Sequence, residues 1–204
     1  MFGKTVQAAV AFLMLALPAV PALAQHEHPE GMPEMSAEEK AMMEAWEKAA
    51  TPGDPHARLA QGEGDWNLTI TMWMAPGTPP EVAHGTATRK MILGGRHLEE
   101  VVNGEVMGQP FEGHGLTGYD NVSGQYWSTW VDNMTTGLTV MEGEYDDESK
   151  TFQWTGTSND PMTGAAKTTT MVGRHDEQGR EIVEFWEERG GEKVKTMEIV
   201  YTRE

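Results

Sequence analysis

The 204-residue chain contains no cysteine. This excludes thiolate catalysis, Cys-ligated zinc, disulfides and lipid attachment through a lipobox cysteine, so a chain of this length must rely on an ordinary packed core. Positive charge is scarce: 15 Lys and Arg stand against 32 Asp and Glu, a net charge of −17. Phosphate binding needs clustered cations, so nucleic acid is not an expected partner. The acidity reads first as a source of solubility. Beyond residue 24 no apolar run is long enough to suggest a membrane span. Also missing are a nucleophile elbow, an H-E-x-x-H helix, a phosphate loop and a Ser-His-Asp pattern, and the residues name no cofactor.

What is present begins with a leader. Met1-Phe2-Gly3-Lys4, an apolar run from Val6 to Leu17 and small residues at Ala22 and Ala24 form a signal-peptide pattern over residues 1–24. Cleavage near Ala24 would deliver a periplasmic or secreted chain starting at Gln25. Residues 25–35, QHEHPEGMPEM, are polar and aperiodic and read as a disordered leader. His26 and His28, with Met32 and Met35, offer imidazole and thioether donors that suit copper, although nothing nearby would orient them. Residues 36–50 are expected to form an amphipathic helix: Ser36 and Glu39 make a capping box, and Thr51-Pro52-Gly53 stops it. Its stripe of Met42, Met43 and Trp46 predicts packing against another surface.

From Trp66 the helical period gives way to short Thr-, Val- and aromatic-rich runs, which predict strands near 66–74, 85–93, 97–102, 111–119, 125–132, 138–145, 151–157, 166–173, 181–187 and 193–202. Asp120, Asp146 and Asp176 each open a tight turn, with Gly124, Lys150 and Gly179 where positive φ is wanted. An all-β, up-and-down antiparallel barrel of about ten strands follows for residues 56–204, with one N-terminal helix. Closure would send the tight turns to one end and the irregular links 75–84, 103–110, 133–137, 158–165 and 188–192 to the other, as a mouth.

That mouth gathers Met74, Met107, Met134 and Met162, soft side chains suited to an irregular apolar ligand, with gap-filling as the plainer role. Trp130 and Asp132 share one strand face, with Asn133 and Met134 turning out of it, which suggests a pocket wall for a small amphipathic molecule. Glu198 and Glu184 sit mid-strand. Inside a barrel either would need a partner, and Asp132 or Glu198 could then act as a general base, making an enzyme the alternative.

Gly64-Asp65-Trp66 at the first strand and Tyr201-Thr202-Arg203 at the last resemble the calycin superfamily, which includes lipocalins and nitrobindin-like barrels. The resemblance implies that Trp66 packs against Arg203 at the barrel floor, and by analogy raises His97 or His114 as a heme ligand. His56 to Trp66, "ILGGRHLEE" (92–100), "FEGHGLTGYD" (111–120), "WVDNMTTG" (130–137) and "KTMEIVYTR" (195–203) resemble the secreted family designated domain of unknown function 1579 over about 56–204. That resemblance implies a calycin-like barrel and no established activity. The reading that results is a secreted protein binding a small apolar or amphipathic ligand through Trp130, Asp132, Asn133, Met107, Met134, Met162 and Glu198. A copper-handling role for the leader is a further alternative, and the oligomeric state is left open.

Overall fold

The computed structural model describes residues 35–204 except 76, 161 and 162. The expected signal peptide, residues 25–34 of the leader with His26 and His28, and Met162 lie outside the described residues. The chain separates into two units at residue 40, within the first helix. In the first unit Ser36 and Glu39 form the expected capping box: the Ser36 amide donates to Glu39 Oε2 (2.8 Å), and the Glu39 amide donates to Ser36 Oγ (3.2 Å).

Two helices, α1 (Ala37–Ala50) and α2 (Asp54–Ala60), precede ten strands: β1 (Gly64–Met72), β2 (Glu81–Ile92), β3 (His97–Val106), β4 (Gln109–Asp120), β5 (Gln125–Asp132), β6 (Thr139–Asp146), β7 (Thr151–Asn159), β8 (Ala166–His175), β9 (Glu181–Arg189) and β10 (Glu192–Arg203). Every strand pairs antiparallel with its sequence neighbours, and β1 closes on β10 from Trp66↔Arg203 to Met72↔Met197. The barrel is therefore closed, and no edge strand is left unpaired. Among the described residues no helix is long and apolar enough to cross a membrane.

The tight turns form as their residues require. The Asp120, Asp146 and Asp176 carboxylates accept amides two residues on, at 2.8, 2.9 and 3.0 Å, and Gly124, Lys150 and Gly179 take positive φ. Asp120 is thus a turn former, held below the usual carboxylate range by the Val122 amide and then by Ser123.

Strand alternation points Trp66, Leu68, Ala87, Val102, Val183 and Tyr201 into one buried cluster. A second cluster gathers Tyr126, Met141 and Trp154 around Leu59 of α2. This short helix plugs one end of the barrel. Its Arg58 donates to Tyr126 Oη (3.0 Å) and lies 3.9 Å over the Tyr145 ring. Beside the plug, Arg203 lies 4.3 Å over the Trp66 ring and donates to the carbonyls of Glu63 and Gln61. A Cβ on Gly64 would come within 2.7 Å of that guanidinium. The floor pairing implied by the resemblance is present, and the short link between α2 and β1 is anchored to the last strand.

The stripe on α1 behaves otherwise than expected, since Met42, Met43 and Trp46 are all exposed. The helix is held at its C-terminal end instead. Asn121 Nδ2 donates to the carbonyls of Lys48, Ala49 and Thr51, and Arg96 donates to that of Ala50. These are the carbonyls a helix leaves without an internal partner.

Candidate functional site at the open end of the barrel

In a closed barrel an inward side chain can meet solvent only through an end, and α2 fills one end. Near that plug Trp66, Leu68, Ala87, Val102 and Tyr201 are at most 5% exposed. Farther from it the inward residues Ile70, Phe111, Trp130, Phe185 and Ile199 pack against the same cluster yet are only partly buried. A partly buried apolar lining above a packed floor is what a cup open at this end would present, while clefts of about 270 and 630 Å³ lie elsewhere, beside α1 and α2. Ten strands also enclose a wider bore than the eight whose side chains just fill one.

Trp130 forms one wall. It pairs with Gly115 on β4, and its six-membered ring lies over Gly113 and Gly115, where added Cβ atoms would crowd it. It stacks on Phe111 with centroids 6.5 Å apart and planes 16° from parallel. Its indole Nε1 donates to Asp132 Oδ2 (3.0 Å), while Asp132 Oδ1 accepts the Met134 and Thr135 amides (both 3.0 Å). Asp132 therefore orients the tryptophan and caps the hairpin, with both oxygens engaged. Asn133 is a clamp between strands: it donates to the Pro110 carbonyl and accepts the Glu112 amide.

Three charged side chains on inward positions near the opening escaped the sequence reading. Glu187, pointing inward from β9, accepts Lys167 Nζ of β8 (2.8 Å) and Arg189 (3.2 Å). The alternation Lys167, Thr169, Met171, Gly173 carried the signal, but β8 shows no contrast between its faces. Deeper in, Arg89 holds Glu100 (2.7 Å) and Glu181 and lies 4.1 Å over the Tyr201 ring. Burial opposes its charge, but the two carboxylates prevail and raise its pKa. Burial, followed by the field of Glu100, raises that of Tyr201.

Glu198 does not join this group. It pairs with Glu184 across β10 and β9 on the face opposite Ile199 and Tyr201, and Lys195 Nζ bridges the two carboxylates at 2.7 and 3.2 Å. Burial alone would lower the Lys195 pKa, and the bonds to Glu198 and Glu184 reverse that. Trp73 and Trp186 flank the ammonium on the same outer side. With Glu198 outside and Asp132 committed to the hairpin, neither carboxylate considered as a base is free in the cup.

The strand histidines His97 and His114 also lie outside. His114 is exposed against Glu112 (2.9 Å). His97 pairs with Gly118 on the outer face beside Trp127, in a cleft of about 270 Å³ lined also by His56, Arg96, Tyr119 and Asn121. Its Nδ1 is buried with no hydrogen-bond partner; burial, then His56 and Arg96, lower its pKa. Among the described residues no three His, Cys, Asp or Glu side chains converge as a metal site. Met74, Met107 and Met134 stand exposed on three different links at the open end.

A family model described as "Protein of unknown function (DUF1579)" matches residues 51–203. No curated protein matches the chain.

Proposed function

The chain belongs to the DUF1579 family of proteins of unknown function, and we propose on that premise that it is an exported binding protein holding a small apolar or amphipathic ligand in the barrel cup. The half-buried inward lining of Ile70, Phe111, Trp130, Phe185 and Ile199 above a floor sealed by α2 carries this reading. Apolar surface left wet inside a rigid wall is surface a ligand can desolvate without first reorganising the protein. Trp130, fixed by Asp132, supplies the flat wall, and Lys167, Glu187 and Arg189 supply polar groups beside the opening. Export rests on the leader pattern of residues 1–24.

The test is tryptophan emission during titration with a panel of long-chain alcohols and amphipathic fluorophores, in the native chain and in Trp130→Phe. A saturable change that shrinks in Trp130→Phe is expected. No saturable response from any panel member, or an identical response without Trp130, rules the cup out as the binding site.

A further inference from the structure

Loops at the two ends of the barrel differ in charge, although both present exposed apolar side chains, Leu93 and Val122 among them at the plugged end. The four links at the plugged end carry Arg96, Asp147, Glu148, Lys150, Asp176 and Arg180 among their residues, as befits a chain so rich in charge. The five links at the open end, residues 73–80, 107–108, 133–138, 160–165 and 190–191, contain a single charged residue, Asp160. In place of charge they present Met74, Met107, Met134 and Leu138, each about half exposed or more, and Val82, Val131 and Val140 stand exposed on the strand ends behind them.

Met107 is the most exposed of these four tip side chains. It and Gly108 form the two-residue β3–β4 turn with φ of 51° and 74°, a primed turn whose first position favours Asn, Asp or Gly. A methionine there accepts backbone strain while leaving its side chain 66% exposed at the tip of the hairpin. Leu93 on the β2–β3 turn at the plugged end has much the same backbone and exposure (φ 50°, 69%), so it is the charge-free surroundings of Met107, not its turn geometry, that set the open end apart.

We propose that the open end of the barrel docks on a lipid surface of no net charge, inserting the tips that carry Met107, Met134 and Leu138. A protein partner would be held in register by charges and by Tyr, Trp or Arg anchors, and the turns 107–108 and 133–138 that carry Met107, Met134 and Leu138 offer none. A fluid apolar layer requires no register and is satisfied by separated prongs flanked by hydroxyls such as Thr135 and Thr136. Anionic lipid would repel a chain of net charge −17, and Lys167 and Arg189 beside the opening are already paired with Glu187. Docking here sets the mouth against the layer in which apolar molecules dissolve, yet it does not depend on the cup being occupied.

The test is sedimentation of the full chain with phosphatidylcholine vesicles and with vesicles containing phosphatidylglycerol. Expected are partitioning onto phosphatidylcholine that added salt hardly changes, weaker partitioning with the anionic lipid, and a loss of at least about tenfold in M107S/M134S/L138S. V122S, an exposed valine on a plugged-end turn, should leave partitioning unchanged. The proposal is overturned if the chain stays in the supernatant, if M42S/M43S/W46S on α1 abolishes binding while the rim variant retains it, or if the rim residues instead drive concentration-dependent self-association without vesicles.

Discussion

Glycine faces tryptophan across three strand pairs, Gly115↔Trp130, Gly118↔Trp127 and Gly143↔Trp154. A missing Cβ on one strand is the socket for an indole from the next. At Gly143 an added Cβ would come within 2.7 Å of Trp154 Cδ2, and Trp154 is core. Gly143→Ala is therefore expected to destabilise the barrel by about 1–3 kcal/mol through overpacking. Urea denaturation measures this, and a change under about 0.5 kcal/mol would mean that the indole has room to move. His97 governs a pH dependence. Its pKa in the fold lies below the ordinary value near 6.5, so below that pH the unfolded chain takes up the proton more readily than the folded one. Its contribution is intact above about pH 6.5 and is lost as pH falls toward the folded-state pKa. Thermal melts between neutral and mildly acidic pH should show a steeper decline in the native chain than in His97→Gln, and parallel declines would refute the linkage.

Helix and strand elements differ in what holds them. α1 is fastened through its last carbonyls by Asn121 and Arg96 while its apolar stripe stays exposed, so its loss should be local. Asn121→Ala is expected to speed hydrogen exchange of amides near residues 47–51 while leaving the main barrel transition within about 0.5 kcal/mol. A matching fall in barrel stability would show that α1 is part of the core. α2 was not legible as an element, because seven residues show too little period, and the segment reads equally as a loop containing Pro55. Its helix forms where Gly53 and His56 complete the cap and Leu59 finds the barrel end. The strands were legible since alternation and Asp-Gly turns are local, but β2 and β3 run farther than expected, to Glu81 and Val106. Residues of weak strand propensity such as His84, Gly85 and Gly104 are held there by partners on both sides.

At the scale of the whole molecule, one ionic knot ties distant parts of the barrel. Arg89 of β2 joins Glu100 of β3 to Glu181 of β9, 92 positions away in sequence, and stacks on Tyr201 of β10. Removing only the cation leaves two carboxylates facing each other inside the wall. Arg89→Met is expected to cost about 3–5 kcal/mol, with much of that recovered when Glu100→Gln and Glu181→Gln are added, as read by thermal and urea unfolding. No recovery would mean that the loss came from packing against Tyr201 instead of from unpaired charge. Ligand occupancy, should the proposed cup be filled, acts on the same global equilibrium: a ligand at a hundred times its Kd should add about 2.7 kcal/mol to unfolding stability, and Trp130→Phe should shrink that gain.

Local rules acting over a few residues were enough to determine ten strands, their turns, the capped first helix and the up-and-down order. The sharing of one face by Trp130 and Asp132 was equally local, a matter of spacing two along a strand. Which face turned inward was a tertiary decision wherever both faces were apolar. On β9 Ile182 and Trp186 look outward while Val183 and Phe185 look in, and on β10 Ile199 looks in while Val200 looks out, which is why Glu198, sharing a face with Val200, could be placed in the cup from sequence and is found outside it. The Arg89 knot, the pairing of Lys167 with Glu187 and the sealing of one end by Leu59 likewise arise only in the folded barrel, because each joins residues far apart along the chain.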